Sequence, residues 1–301
     1  MQYSKLPISI KEQIERLKTR GLIIKDEQKA TQYLSTISYY RLRAYTFPFQ
    51  NANDTNHPFI GDISLEEIIE VYNFDRKLRI LVFDAIERIE ISFRTQMIYR
   101  WSMNHGSHWH LDSFLFRDTN HFDNYVSTLE HEIKRSHETF IKHYLAKYNE
   151  PVAPPSWMSL EVSSFGVLSI LFQNLKRAEE KKEMTTYYGL NKVDILENWM
   201  HSFSDIRNIC AHPGRLWNRR LTTHITIPNN PIYKFAANRS LLQLTPYKLY
   251  PNICAMVYVL NIVDTNHTFK QDLKNLLYSC PLNQEREMGF PQNWKDDEFW
   301  I

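Results

Sequence analysis

The sequence predicts an all-α fold: a helical bundle with a small N-terminal helical unit and a C-terminal helical extension. Three observations lead there. Only 7 glycines occur in 301 residues, well below the average usage of roughly 7%. An apolar pattern of helical period runs from about residue 64 to 103, far longer than any strand. Capping boxes, in which a Ser or Thr and an acid or amide three residues on satisfy each other's helix-end donors, recur at Ser9 with Glu12, Ser64 with Glu67 and Thr268 with Gln271.

Composition narrows the class. A chain that is 43% hydrophobic and 14% aromatic can bury a real core. The 36 basic and 34 acidic residues leave a net charge of +2, which excludes a broad nucleic-acid platform and confines any basic surface to a local patch. Three scattered cysteines, Cys210, Cys254 and Cys280, are too few for a disulfide framework or a zinc site. No apolar stretch has the length of a signal peptide or of a membrane span. The expectation is a soluble cytoplasmic protein that touches no membrane and needs no cofactor or metal.

Taken in order, Ser9 starts a short helix that Gly21 ends, with Ile10, Ile14 and Leu17 on one side. Asp26 caps the next, in which Ala30, Leu34, Ile37 and Leu42 face inward. Tyr39, Tyr40, Arg41, Arg43 and Tyr45 cluster at its far end; aromatics beside arginines can stack bases and pair phosphates, or simply pack the N-terminal unit. Residues 51–62, polar and turn-rich, read as a linker, giving an N-terminal unit of residues 1–60 and a main domain of residues 61–301. The helix from Ser64 to about Met103 carries two apolar stripes, Val71, Phe74, Leu78, Leu81, Ala85 and Val82, Ile86, Ile89, Phe93, Met97, as a central bundle helix does. Asp84 with Arg88 and Glu90 with Arg94 are i,i+4 pairs. Glu87 and Glu90 read either as acid/base chemistry or, more simply, as an ion-pair face.

His105, His108 and His110 raise a metal site, but no carboxylate or cysteine stands at ligand spacing. Residues 120–148 predict one polar helix. Pro151, Pro154 and Pro155 then break the chain before a helix over 158–176, in which Phe165-Gly166 allows a close backbone approach. Residues 178–188 predict a charged, solvated helix ended by Gly189. Residues 222–227 are a short strand or an extended loop, residues 240–264 and 268–278 are two more helices, and the aromatic tail 289–301 docks on the body.

The most informative stretch is 198–220, NWMHSFSDIRNICAHPGRLWNRR. Trp199, Phe203, Ile206 and Cys210 form one helical face. Pro213 and Gly214 stop the helix near His212. Arg207 and His212 therefore lie within a turn and a half of a helix end, with Asn208 one turn before His212 and able to bond its imidazole. A guanidinium that forks onto phosphate and an imidazole that moves a proton near neutrality fit a phosphodiester site. RNA supplies its own 2′-hydroxyl nucleophile. The same residues alone also fit a capped helix end with a satisfied histidine. Arg215, Arg219 and Arg220 around Trp217 form the one dense basic patch, and it adjoins His212.

The run from Arg207 to His212, continued through Arg219, resembles the signature of Abi-like (AbiD/AbiF-type) abortive-infection proteins. These belong to the wider HEPN class, whose Arg-Asn-x-x-x-His motif marks metal-independent ribonucleases. The stretches YYRLRAY at 39–45 with Pro48-Phe49, FDRKLR at 74–79 leading into AIERIE at 85–90, SFGVLS at 164–169, and MGFP at 288–291 followed by Trp294 resemble the same family in order. Pro213 departs from it, standing where a second His or another polar residue is expected.

The resemblance implies an HEPN-like bundle and an endoribonuclease with Arg207, Asn208 and His212 as its catalytic residues. Contacts to RNA would come from Arg215, Arg219, Arg220, Tyr40, Arg41 and Arg43. It further implies a homodimer that joins two motifs, a cyclic-phosphate product, a bacterial phage-defence role as a toxin, and a neutralising small RNA or antitoxin protein. The alternatives are a non-catalytic module that holds a structured RNA, and a metal-dependent nuclease built on the His105, His108 and His110 cluster.

Overall fold

The computed structural model describes residues 2, 6–237, 242–243, 245–280, 282 and 284–301. Among them there is no strand, only isolated bridges such as Ile23 with Ser64, so the expected all-α class is what is found. No described helix is long and apolar enough to cross a membrane. The chain divides into two compact units. One comprises Met1–Arg79 with Leu273–Gln284, the other Ile80–Asp272 with Glu285–Ile301. Compactness thus divides the chain inside a helix, whereas the shift in composition lies at residues 51–62.

In the first unit α1 spans Ile10–Thr19 and begins with the expected capping box. Asp26 caps α2, Glu27–Ile37, by accepting from the backbone of Gln28 and Lys29. The single helix expected to run on through Tyr45 is two. Ser38, at φ 66°, ends α2 and caps α3, Tyr39–Thr46. Tyr45 is buried and donates to Asp75 at 2.7 Å, so this tyrosine of the cluster is core. Residues 51–62 are stitched to the same unit by backbone bonds from Phe59 N–H to Arg20 O at 2.7 Å and from Ile60 N–H to Phe49 O at 2.8 Å. The long helix α4, Leu65–His105, opens on the Ser64 and Glu67 capping box.

In the second unit, Val82, Ile86, Ile89, Phe93 and Met97 of α4 are all fully buried. The helix expected over 120–148 is broken into α5, Thr119–Arg135, and α6, Thr139–Lys147. The Ser136 hydroxyl, accepting from Glu138 N–H at 3.2 Å, gives the backbone a local alternative to helix. The helix expected over 158–176 is likewise divided, into α7, Ser156–Ser159, and α8, Phe165–Asn174. Between them the Arg94 guanidinium takes the carbonyls of Leu160 and Ser163, and Ser164 caps α8.

Next come α9, Glu179–Tyr187, and α10, Val193–Ala211. Residues 222–227 form no strand, with bends at Thr222 and Thr223. Of the helix expected over 240–264, residues 242 and 243 are helical, 245–248 form turns and bends, and α11, Leu249–Val263, follows with Pro251 in its first turn; residues 240, 241 and 244 lie outside the described residues. α12, Phe269–Tyr278, and α13, Glu285–Met288, follow. The tail docks as expected: Phe290, Trp294, Phe299 and Trp300 are buried, and Trp300 Nε1 donates to Tyr250 at 3.0 Å.

α10 packs against α8, α9 and α11, and α8 also packs against α5. A Cβ added at Gly166 would meet Ser204 Oγ at 3.6 Å, ordinary contact that lets α8 lie close to α10. One expectation fails on α9. Read as a solvated face, the helix instead buries Lys181 completely; its Nζ donates to Leu175 O at 2.9 Å and to Glu197 at 2.5 Å.

Candidate active site at the end of α10

The buried face of α10 is the one its spacing predicts: Trp199, Phe203, Ile206 and Cys210 are all inside. Its flank fixes the chain that returns after the motif. Asn198 Nδ2 donates to His224 O at 2.9 Å and its Oδ1 accepts from Thr226 N–H at 2.7 Å. Trp199 Nε1 donates to Thr226 O at 2.8 Å, and the Asp205 carboxylate accepts from the hydroxyls of Thr222 and Thr223. Residues 222–227 thus find backbone partners on side chains of α10 instead of in a sheet.

The helix stops at His212, whose backbone is extended at φ −93°, ψ 155° and whose N–H closes the last turn on Asn208 O at 3.1 Å. Pro213 follows, as a residue that cannot continue the ladder. Gly214 returns over the helix end, where an added Cβ would stand 3.3 Å from Ile209 O. Leu216 and Trp217 are fully buried anchors. Between these fixed points His212, Arg219 and Arg220 are exposed and Arg215 is half-buried. The Arg220 guanidinium also lies 4.3 Å from the Tyr247 ring centroid, a cation–π contact.

Arg207 points toward α4. Its guanidinium carbon is 5.5 Å from the Phe83 ring centroid and its Nε is 3.9 Å from Glu90 Oε2. Its side chain keeps 34% of its surface exposed. Glu90 is mostly buried and receives Arg94 Nη2 on its other oxygen at 2.6 Å. Burial pushes the Glu90 pKa up, against the opposing pull of Arg94 and Arg207. These residues, with Glu87, Ile91 and Glu161, line an open cleft of about 270 Å³. The Arg207 guanidinium is thus partly exposed and held by one weak ion pair and one ring, in a cleft whose other charged lining is Glu87, Glu90, Arg94 and Glu161.

The model of the Abi-like protein family matches residues 32–218, more than half of the 301 residues. The chain belongs to the Abi-like family. No curated protein and no solved structure shows significant similarity to it. The match in this Abi-like protein takes in Arg207, Asn208, His212 and Arg215, and ends before Arg219 and Arg220.

Of the residues singled out by sequence, Arg207, Asn208, His212, Arg215, Arg219 and Arg220 lie on the last turns of α10 and the loop after it. Asn208 is exposed, and its carbonyl receives His212 N–H. Tyr40, Arg41 and Arg43 belong to α3 of the first unit. There Tyr40 is 88% exposed and the two arginines are half-buried.

In this Abi-like chain the His108 and His110 rings stack at 6.2 Å, while His105 has a partner of its own. His105 Nε2 is 2.9 Å from Glu180, His108 Nε2 is 3.0 Å from Ala153 O, and His110 is sealed inside. Among the described residues no three His, Cys, Asp or Glu side chains are grouped to hold a metal ion.

Sequence reasoning placed Glu87 and Glu90 on an ion-pair face and missed that Glu90 and Phe83 flank Arg207. The one signal was the Glu90 and Arg94 pair itself, four residues apart on the buried helix.

Proposed function

We propose that this Abi-like protein is a metal-independent endoribonuclease of the HEPN class, acting as an abortive-infection toxin in phage defence. What supports the reading is the pairing at the end of α10. An exposed imidazole sits five residues beyond a guanidinium that an acid and a ring already hold in place.

In this reading Arg207 forks onto the non-bridging oxygens of the scissile phosphate. The His212 imidazole takes the proton of the ribose 2′-hydroxyl. The 2′-oxygen then attacks phosphorus, the bond to the 5′-oxygen breaks, and the leaving oxygen takes a proton. The products are a 2′,3′-cyclic phosphate and a free 5′-hydroxyl. Arg207 neutralises charge that builds on the phosphoryl oxygens, an effect worth ~10²–10³ in rate at a preorganised donor. His212 contributes ~10²–10⁴ as a positioned proton-transfer group. Asn208 orients the imidazole, and Arg215, Arg219 and Arg220 hold flanking phosphates. One histidine cannot be base and acid in a single step. A twofold homodimer that brings a second His212 to the same phosphate supplies the acid. The reading places the protein in the bacterial cytoplasm, needs no cofactor, and calls for a restraint, a small RNA or an antitoxin protein.

The test is incubation of purified protein with single-stranded RNA and DNA in excess chelator, with product ends identified. Cleavage of RNA alone to cyclic-phosphate ends, lost in His212→Ala, is the expected result. RNA held equally well by both proteins without cleavage would make the chain a binding module instead. Heterodimers of wild-type and His212→Ala chains at 1:1 should be inactive at the shared site; full activity would remove the composite-site mechanism.

A further inference from the structure

We propose that the cleft between α5 and α8 is a nucleotide-binding site, separate from the end of α10. It has a volume of about 660 Å³, within the range of roughly 300–1,000 Å³ typical of small-ligand pockets. Its two walls are helix faces. α5 presents His121, Asn124, Tyr125 and Thr128, and α8 presents Val167, Ile170 and Gln173.

The floor is apolar. Tyr125 and Val167 are 3% and 7% exposed, while Ile170 stands half exposed on a helix that is otherwise mostly buried. The buried Tyr125 hydroxyl has no hydrogen-bond partner. Asn124, Gln173 and Asn174 also line the cleft, as do Arg117 and His121, and the backbone bond from Arg117 N–H to Asn174 O at 2.8 Å puts Arg117 beside Gln173 and Asn174 at one end. Asp118, also at that end, is engaged in capping α5 through the N–H groups of Asn120 and His121.

This combination matches a nucleoside monophosphate. A base can lie on Tyr125 and Ile170, offer its edge to two primary amides, and extend a phosphate toward Arg117. Asn and Gln amides pair bidentately with purine edges, which favours a purine. A bare anion would leave the apolar floor wet, and a peptide helix would need an apolar stripe on both walls, which His121, Asn124 and Thr128 deny it. A phosphate at Arg117 would compete with Glu197 of α10, which accepts from Arg117 at 3.1 Å. Glu197 would keep Lys181 as its partner, so the exchange strands no carboxylate.

The inference is independent of RNA cleavage and is tested by equilibrium dialysis of the full-length protein. The probes are the four ribonucleoside monophosphates and a 2′-O-methyl oligonucleotide, which lacks the attacking hydroxyl. Two variants locate the binding: Ile170→Glu, and the double change Asn124→Ala with Gln173→Ala. These are positions at or near the surface, and thermal melts confirm folding. The expected result is one purine monophosphate bound per chain, weakened by about tenfold or more in each folded variant. If only the oligonucleotide binds and both variants weaken it, the same site takes a base of an RNA strand rather than a free nucleotide. No binding of any probe, or binding unchanged in both variants, overturns the proposal.

Discussion

Two turns in the second unit follow the ends of long helices, and both carry histidine. After α4 the chain passes through Gly106 at φ +80° into a short 3-10 turn that buries His110 completely. After α10 it passes through Pro213 and Gly214 and leaves His212 in solvent. Burial drives the His110 pKa down to about 3, and both ring nitrogens lack partners. The first turn holds His108 and His110, with His105 closing α4 before it, against the single His212 of the second. An arginine stands five residues before a histidine at both places: Arg100 pairs with Glu183 at 3.4 Å and lies 5.7 Å from the Tyr187 ring centroid, as Arg207 lies by Glu90 and Phe83, and what differs is exposure, 16% for the Arg100 side chain against 34% for Arg207.

The largest effect should come from His212→Ala. It is expected to lower RNA cleavage by at least ~10²-fold, while stability shifts by no more than ~0.5 kcal/mol, as at other exposed sites. Cleavage assays beside thermal melts measure both; equal activity in the variant would erase the contrast between the two turns. Glu90→Ala should cost about 3 kcal/mol, because it leaves Arg94 buried without its carboxylate. Glu90→Gln keeps a hydrogen bond to Arg94 and should fold well. It should still lose activity by about tenfold as Arg207 loosens. Urea titrations of both variants separate the structural part from the positional one.

His110 gives a pH prediction of opposite kind. The folded protein resists protonating it down to about pH 3, whereas the unfolded chain takes the proton near the ordinary value of about 6.5. The unfolded state therefore binds more protons between these limits, and stability falls as pH drops from about 6.5 toward 3. At pH 4.5 the penalty approaches 2–3 kcal/mol, at roughly 1.4 kcal/mol per pH unit. Urea midpoints for wild type and His110→Phe at pH 7 and 4.5 should diverge by that amount. Parallel acid losses would show that His110 is not sealed. The smallest effect belongs to Arg219→Ala and Arg220→Ala, each expected to weaken RNA binding a few-fold, with a lower salt slope.

The local marks of helix were legible in sequence. The capping boxes at Ser9 and Ser64, the Asp26 cap, the stripes of α4 and the buried face of α10 all follow from short-range spacing. The interruptions did not. Ser38 and Ser136 fit a helix about as well as a break, and Arg94 captures the carbonyls of Leu160 and Ser163 from 66 and 69 residues away. Lys181 gave no sign of burial, because its partner Glu197 lies on another helix and the alternating charges of α9 read as solvated. The candidate site shows the same division. Arg207, Asn208 and His212 could be picked from one motif, but Glu90 and Phe83 become neighbours of Arg207 only when α4 and α10 are side by side. Trp109 goes inside as an indole beside apolar residues should, and the His110 imidazole next to it is buried as completely, which residue type alone does not announce.

The clasp of Asn198, Trp199 and Asp205 on residues 222–227 has a consequence of its own. One foot of the arginine-bearing loop grows out of α10 and the other is clasped back onto it, with Leu221 N–H also on Tyr247 O at 2.9 Å and Ile225 N–H on Pro246 O at 3.1 Å, so the loop is pinned at both ends like the handle of a pail. A guest strand meets it already set and has little slack to remove. Loosening a foot, as in Asn198→Ala, should therefore weaken the grip on a strand without deleting any group that touches it.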